Sequence, residues 1–299
     1  KNVICEKPLT GYFGMPGDAE PVGEKVPKSK MYAEVLKAID SLRAVVEKSD
    51  AKFLYAENFV YSTPVRRAAD IISKRKSKIL FLKGEESLKG SSSPVAGEWK
   101  YTGGGSLIRV GCHPLAGMLW LKQQEAKARG EVITIKSVLA DTGRATSCLN
   151  EHEHRHIGVR PHDVEDFANV TVTFSDGTKA VALASDTVLG GTKNYIEIYC
   201  NDNAMTCNIT PTDLLNTYFL DEEGMEDVEI SEMLPTKMGW NKAFVSDEII
   251  RGYMGELQDF AETVYYDKTP SSDFNLAYQT TKVIYAAYLS AEEGRPIKF

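Results

Sequence analysis

Lys7 ends the apolar run Val3-Ile4-Cys5 and stands directly before Pro8, within Glu6-Lys7-Pro8. An ammonium at the carboxyl end of a parallel strand faces the crevice where open α/β sheets bind ligands. There it can hydrogen-bond a substrate hydroxyl and stabilise the alkoxide that forms as hydride leaves. Pro8 is read as fixing the turn, with a cis peptide as one way to do so. A second set of reactive side chains lies in Gly103-Gly104-Gly105-Ser106-Leu107-Ile108-Arg109-Val110-Gly111-Cys112-His113-Pro114. Arg109 and His113 are four residues apart, so one helix face is expected to carry both. An imidazole titrates near neutrality and can take a proton from an alcohol. A guanidinium beside it depresses the imidazole's pKa and attracts an anion. Arg109 is therefore expected either to bind an acidic group of a substrate or to pair with a neighbouring carboxylate.

Four of the five histidines fall in Glu151-His152-Glu153-His154-Arg155-His156 and at His162. If residues 152–156 were extended, three imidazoles would share a face and could bind zinc or a related ion. The spacing leaves no turn between ligands and no cysteine pair assists, so a metal is not the expected reading. A substrate-contacting loop, with His156 and His162 as its pocket members, stands beside a plain solvated loop.

These side chains need a scaffold. The chain has 299 residues, 42% of them hydrophobic, enough for one large or two ordinary domains. A net charge of −7 with no basic run argues against a nucleic-acid partner. No apolar stretch approaches a membrane span and no signal peptide is present. The five cysteines have no paired spacing and read as reduced, cytoplasmic thiols. Residues 2–6 and 52–57 read as strands. Helices are expected over 30–48, capped by Ser29, and from Pro64 onward. Strand, helix, strand, helix is the rhythm of a parallel α/β unit. Residues 10–28, with four Gly and three Pro, form an irregular loop between them.

From residue 79 the rhythm changes. Strand-like runs at 79–82, 131–140, 166–175, 178–187, 193–200 and 204–209, with Asp176-Gly177 as a hairpin turn, imply a mostly antiparallel sheet. A helix is expected up to about residue 129, and helices over 244–266 and 273–292 close the chain, the last capped by Asp273. No G-x-G-x-x-G follows a strand anywhere. Gly103–Gly105 follows a loop and lacks the downstream acidic residue, so it is not read as a phosphate cradle. On this ground the chain alone should not hold NAD(P) with normal affinity.

Glu6-Lys7-Pro8 after its strand resembles the signature of the glucose–fructose oxidoreductase / inositol dehydrogenase / rhizopine catabolism (Gfo/Idh/MocA) family. Residues 103–113 are similar to that family's Gly-Gly-Gly-x-Leu-x-Asp-x-Gly-x-His segment, with Arg109 where the family has aspartate. Asp163–Ala168 resembles its Asp-x-x-x-Asp-Phe-Ala segment, and Ala56–Pro64, Trp99-Lys100, Gly255–Phe260 and Ala287–Gly294 match more weakly. The resemblance implies a remnant of a Rossmann parallel sheet over residues 1–63. A substrate-binding and oligomerisation domain over 64–299 follows, with a large, mostly antiparallel open sheet and flanking helices. It implies a dehydrogenase that moves hydride from a hydroxyl of a sugar, sugar acid, cyclitol or glycoside to NAD or NADP. Lys7 and His113 would be catalytic. Lys100, Arg109, His156, His162 and Tyr61 would contact substrate, and Glu6, Lys7, Pro8 and Asn58 would touch the cofactor. A homo-oligomer, dimer or tetramer, through the sheet is implied as well.

In that family the Glu-Lys-Pro motif follows a complete nucleotide-binding half. The chain is therefore expected to be the later part of a longer enzyme and inactive by itself. Two other readings stay open: oxidation-assisted elimination or glycoside cleavage on the same fold, and a non-catalytic oligomerisation or ligand-binding module.

Overall fold

The computed structural model describes residues 1–210, 214–228, 236–243 and 245–299. In chain order the elements are β1 (Val3–Glu6), α1 (Val22–Lys25), α2 (Lys28–Val46), β2 (Phe53–Ala56), α3 (Thr63–Arg75), β3 (Ile79–Ser87), α4 (Trp99–Thr102) and α5 (Cys112–Arg129). They are followed by β4 (Ile135–Gly143), β5 (Phe167–Phe174), β6 (Lys179–Ser185), β7 (Lys193–Cys200), β8 (Ala204–Asn208), β9 (Leu215–Phe219) and β10 (Gly239–Ala243). The chain ends with α6 (Glu248–Arg251), α7 (Tyr253–Tyr265), α8 (Phe274–Glu293) and β11 (Ile297–Lys298).

β1 and β2 pair in parallel, Glu6 opposite Ala56. The large sheet has seven strands in the order β11-β4-β5-β6-β3-β7-β8. Every pairing in it is antiparallel except β3 with β6. This is the expected mixed architecture: a small parallel sheet, a large and mostly antiparallel one, and flanking helices. The β5–β6 hairpin turns at Asp176-Gly177, where Gly177 takes a φ of 86°. A third, two-stranded sheet pairs β9 with β10.

Alternation decides which face is buried. Ala168, Val170, Val172 and Phe174 of β5, Ala180, Ala182 and Ala184 of β6, and Ile196 and Ile198 of β7 point inward. α5 and α8 cover that face, α2 packs on α8, and α3 packs on α5. β3 carries the same inward face through Leu82, Gly84 and Glu86. Gly84 lies against Pro114 and Met118 of α5, where an added Cβ would come within 2.9 Å of the proline ring.

Three local expectations are corrected. Ser29 is not the cap of α2. The helix begins two residues earlier, at Lys28 after Pro27, and the backbone N–H of Lys28 donates to the Glu292 carboxylate of α8. The helix drawn over 244–266 is two helices, because Gly252 at φ 102° breaks the run between α6 and α7; Phe244 lies outside the described residues. The run at 79–82 continues to Ser87, because Glu85 and Glu86 stay in the ladder despite their charge.

Candidate active site

Because β1 and β2 are parallel and in register, the residues that leave their carboxyl ends, Lys7 and Glu57, emerge side by side. The Lys7–Pro8 peptide is cis. Lys7 Nζ donates to the Arg109 carbonyl oxygen at 2.6 Å. Burial works against its charge, but the surroundings of Cys112, Glu57, Glu86 and Glu6 outweigh that and leave the ammonium more basic than usual. Lys7 therefore remains a cation at any physiological pH.

Glu57 is fully buried. Its Oε1 lies 2.7 Å from His113 Nδ1 and also accepts the Phe59 backbone N–H at 3.3 Å. The Phe59 ring stacks on the imidazole, centroids 5.0 Å apart and planes 18° from parallel. Glu57 Oε2 has no hydrogen-bond partner. Burial pushes the Glu57 carboxyl up to about 8, against the pull of Lys7. Burial, helped by the Lys7 charge, drops His113 to about 3. An imidazolium is thus strongly disfavoured at this position.

Other elements close the site. Glu86 sits on the inner face of β3, two residues beyond Gly84 and paired across the sheet with Ala184. Ala184 in turn lies against Gly111, which precedes α5, so Glu86 is held beside the α5 amino terminus. Burial raises its carboxyl pKa, and the charges of His113, Lys7 and Arg251 act on it. α6 is tied to the residues after β2: the Asn58 amide donates to the Arg251 carbonyl at 2.9 Å, and Ser62 Oγ to the Ile250 carbonyl at 2.8 Å. Arg251 and, through α7, Glu256 are thereby brought to the pocket. Burial and the neighbouring Glu57 and Glu6 push the Glu256 carboxyl up to about 8.

The residues expected from sequence divide into two groups. Lys7, Glu6 and His113 converge, with Pro8 turning the chain away behind them. Arg109 and Tyr61 are occupied elsewhere. Residues Leu107–Gly111 form a π-turn, whose wider winding breaks the four-residue spacing that would align 109 with 113. The Arg109 guanidinium instead pairs with the fully buried Asp186. Of the two roles expected for it, the structure shows the carboxylate pairing. Tyr61 Oη donates to Asp259 at 2.9 Å and accepts the Ser272 backbone N–H at 3.1 Å, which makes it a buried strut. Asn58 serves the α6 anchor described above through its amide nitrogen.

Lys100 is half-buried and pairs with Glu98 at 3.1 Å. His156 and His162 are exposed, and neither bonds to Lys7 or His113. Residues Glu153–His156 wind as a short 3-10 turn, so the extended arrangement that would align three imidazoles does not form. Among the described residues the one convergence of metal-ligating types is Glu57, Cys112 and His113. Burial lifts the Cys112 thiol to about 12, and the Lys7 ammonium acts on the same space, which opposes a cation.

Sequence reasoning passed over Glu57, Glu86 and Asp186. The signal for Glu57 was the parallel pairing itself, since whatever follows the second strand must stand beside Lys7. Glu86 could have been found as an acid at an inward position of an apolar strand.

The acidic run Asp163–Asp166 shapes the site from behind. Asp163 accepts the Trp99 and Gly23 backbone N–H groups, at 2.6 and 2.8 Å. Glu165 accepts those of Gly105 and Leu107, at 2.8 and 2.9 Å, and the Tyr288 hydroxyl at 2.9 Å. Asp166 accepts those of Ala145 and Thr146. Each carboxylate fixes a different loop, and Glu165 holds the glycine segment that launches α5.

Residues 83–206 match the family described as the GFO/IDH/MocA C-terminal domain. Solved structures share the fold over the whole chain. GenD2 from gentamicin A biosynthesis, solved in complex with NAD, superposes with a TM-score of 0.72 at 18% identity, covering 100% of this chain and 72% of that one. Myo-inositol 2-dehydrogenase from Lactobacillus plantarum gives 0.66 at 16%, with 100% and 73% covered. A probable dehydrogenase from Thermotoga maritima gives 0.64 at 17%, also with 100% and 73% covered. A comparison with curated proteins gives no match.

Lys7, Glu6 and His113 place charged and hydrogen-bonding groups at one end of this site. The N-terminus of α2, an end where helices receive anions, is filled by the Glu292 carboxylate.

Proposed function

We propose that this chain forms the substrate side of a nicotinamide-dependent oxidoreductase that oxidises a secondary hydroxyl of a sugar or cyclitol. The observation that carries the reading is the meeting of Lys7 with the Glu57-bound His113 in one buried site. His113 Nε2 takes the hydroxyl proton, and Lys7 holds the developing alkoxide by charge. When bound, the nicotinamide accepts the hydride. Glu6 and Lys7 would contact its ring. Arg109 is committed to Asp186 and is not counted among the substrate contacts. GenD2 and the inositol dehydrogenase, which share the fold, fit the same chemistry.

The decisive experiment is an oxidation screen of the intact enzyme with aldoses, inositols and their glycosides, using NAD and NADP. His113→Ala and Lys7→Ala should each lower kcat by about 10²–10⁴-fold. Wild-type rates in both variants would sink the assignment.

We also infer a homo-oligomer formed through the uncovered face of the large sheet. Leu139 and Tyr199 are exposed there, at 46% and 42%, and Tyr199 stacks on Phe81. Leu139→Lys combined with Tyr199→Lys should yield monomers in light scattering. An unchanged mass would remove the proposal.

A further inference from the structure

We propose that the proton removed from the substrate comes to rest on Glu57, with His113 passing it on. This deepens the function proposed above and rests on His113 being the base. The geometry is a two-step relay. The hydroxyl proton moves to His113 Nε2 as the C–H bond gives up its hydride to the nicotinamide. The proton on Nδ1 then crosses the 2.7 Å hydrogen bond to Glu57 Oε1. One O–H and one C–H bond break, a C=O bond forms, and the ring ends neutral with its tautomer reversed. The carboxylate ends as a carboxylic acid.

Three observations favour Glu57 over the ring as the resting place. The ring is buried against Phe59 and sits beside the cationic Lys7 and Arg251, so a lasting imidazolium meets both desolvation and repulsion. Glu57 Oε2 is buried with no donor, so the ionised carboxylate is poorly solvated and gains by accepting a proton. The acids nearest the pair, Glu86 and Glu256, are themselves pushed toward neutrality by burial, so they supply little charge to stabilise an imidazolium.

The groups facing the pair from each packed element are Glu6 at the end of β1 and Lys7 after it, Tyr55 on β2, Glu86 on β3, Cys112 on α5, Arg251 on α6 and Glu256 on α7. The pair therefore titrates as a unit. With one proton fewer, Glu57 is ionised, Nδ1 is protonated and Nε2 is a base. With one proton more, Glu57 is neutral and Nε2–H is an acid, poised for the reverse reduction.

The test needs no substrate. The full chain, labelled with 15N-histidine, is followed by NMR from about pH 6 to pH 10. The expected result is a His113 ring that stays neutral while its proton moves from Nε2 to Nδ1 in one step near pH 8, the value to which the Glu57 carboxyl is raised. In Glu57→Gln that step should vanish. A protonated imidazolium in this range, a tautomer that ignores pH in the wild type, or an unchanged step in the variant would each overturn the proposal. The wild-type titration decides alone if the variant fails to fold. In turnover assays Glu57→Gln should lower kcat by about 10²–10³-fold with KM within about twofold. It should also remove the rise in oxidation rate near pH 8. If His113→Ala keeps full activity, the function proposed above fails, whereas the NMR result judges the relay separately.

Discussion

Removing the Arg109 guanidinium leaves Asp186, whose side chain has no solvent exposure, as an unpaired buried carboxylate. Burial already raises the Asp186 pKa, and Arg109 is what opposes that rise. Arg109→Met should therefore cost about 3–5 kcal/mol of stability, because an uncompensated buried charge remains. Arg109→Met with Asp186→Leu should recover most of that loss, since an apolar pair of similar volume needs no counter-charge. Denaturant melts of the two singles and the double form a cycle that checks this. A strictly additive double would mean that the two side chains act independently.

At the scale of elements, the glycine segment before α5 is the part that places His113. Gly104 has a φ of 151°, and an added Cβ would lie 2.1 Å from the Tyr288 hydroxyl oxygen. Gly104→Ala should destabilise the fold by about 2–5 kcal/mol through strain and overlap together. Its effect on turnover should appear mainly in kcat, because the α5 amino terminus carries the base. A melting temperature equal to wild type would show that the segment yields without cost. The elements themselves were largely legible in the sequence. Successive strand-like runs marked the large sheet, Asp176-Gly177 marked its hairpin, and Asp273 caps α8 by accepting the Leu276 N–H at 2.9 Å. What escaped was set by contacts distant in sequence. The Glu292 carboxylate displaced Ser29 as the cap of α2, a π-turn separated Arg109 from His113, and the β1–β2 register set Glu57 beside Lys7. Lys7 and His113 were visible because the residue type and its neighbours travel together in the chain; the carboxylates that govern them were not.

For the molecule as a whole, buried carboxyls tie stability to pH. Burial raises Glu57 and Glu256 to about 8 and Glu165 to about 7, from an ordinary carboxyl value of 4.5. Between the ordinary and raised values the folded chain keeps protons that the unfolded chain has released. Stability from these groups is thus complete below pH ~4.5 and is lost as pH rises through the folded values. His113 works in the opposite sense. Its value is depressed to about 3, so the unfolded chain binds a proton first, and stability is lost as pH falls below about 6.5. Three carboxyls outweigh one imidazole, so the melting temperature should fall by several degrees between about pH 5 and pH 9. Glu256→Gln isolates one contributor, because the amide cannot ionise and Glu256 Oε2 has no partner to lose. The variant should match the wild type near pH 5 and melt higher near pH 9. Calorimetric scans at both pH values decide it: parallel melting curves for the two proteins across the range would show that Glu256 ionises as easily folded as unfolded.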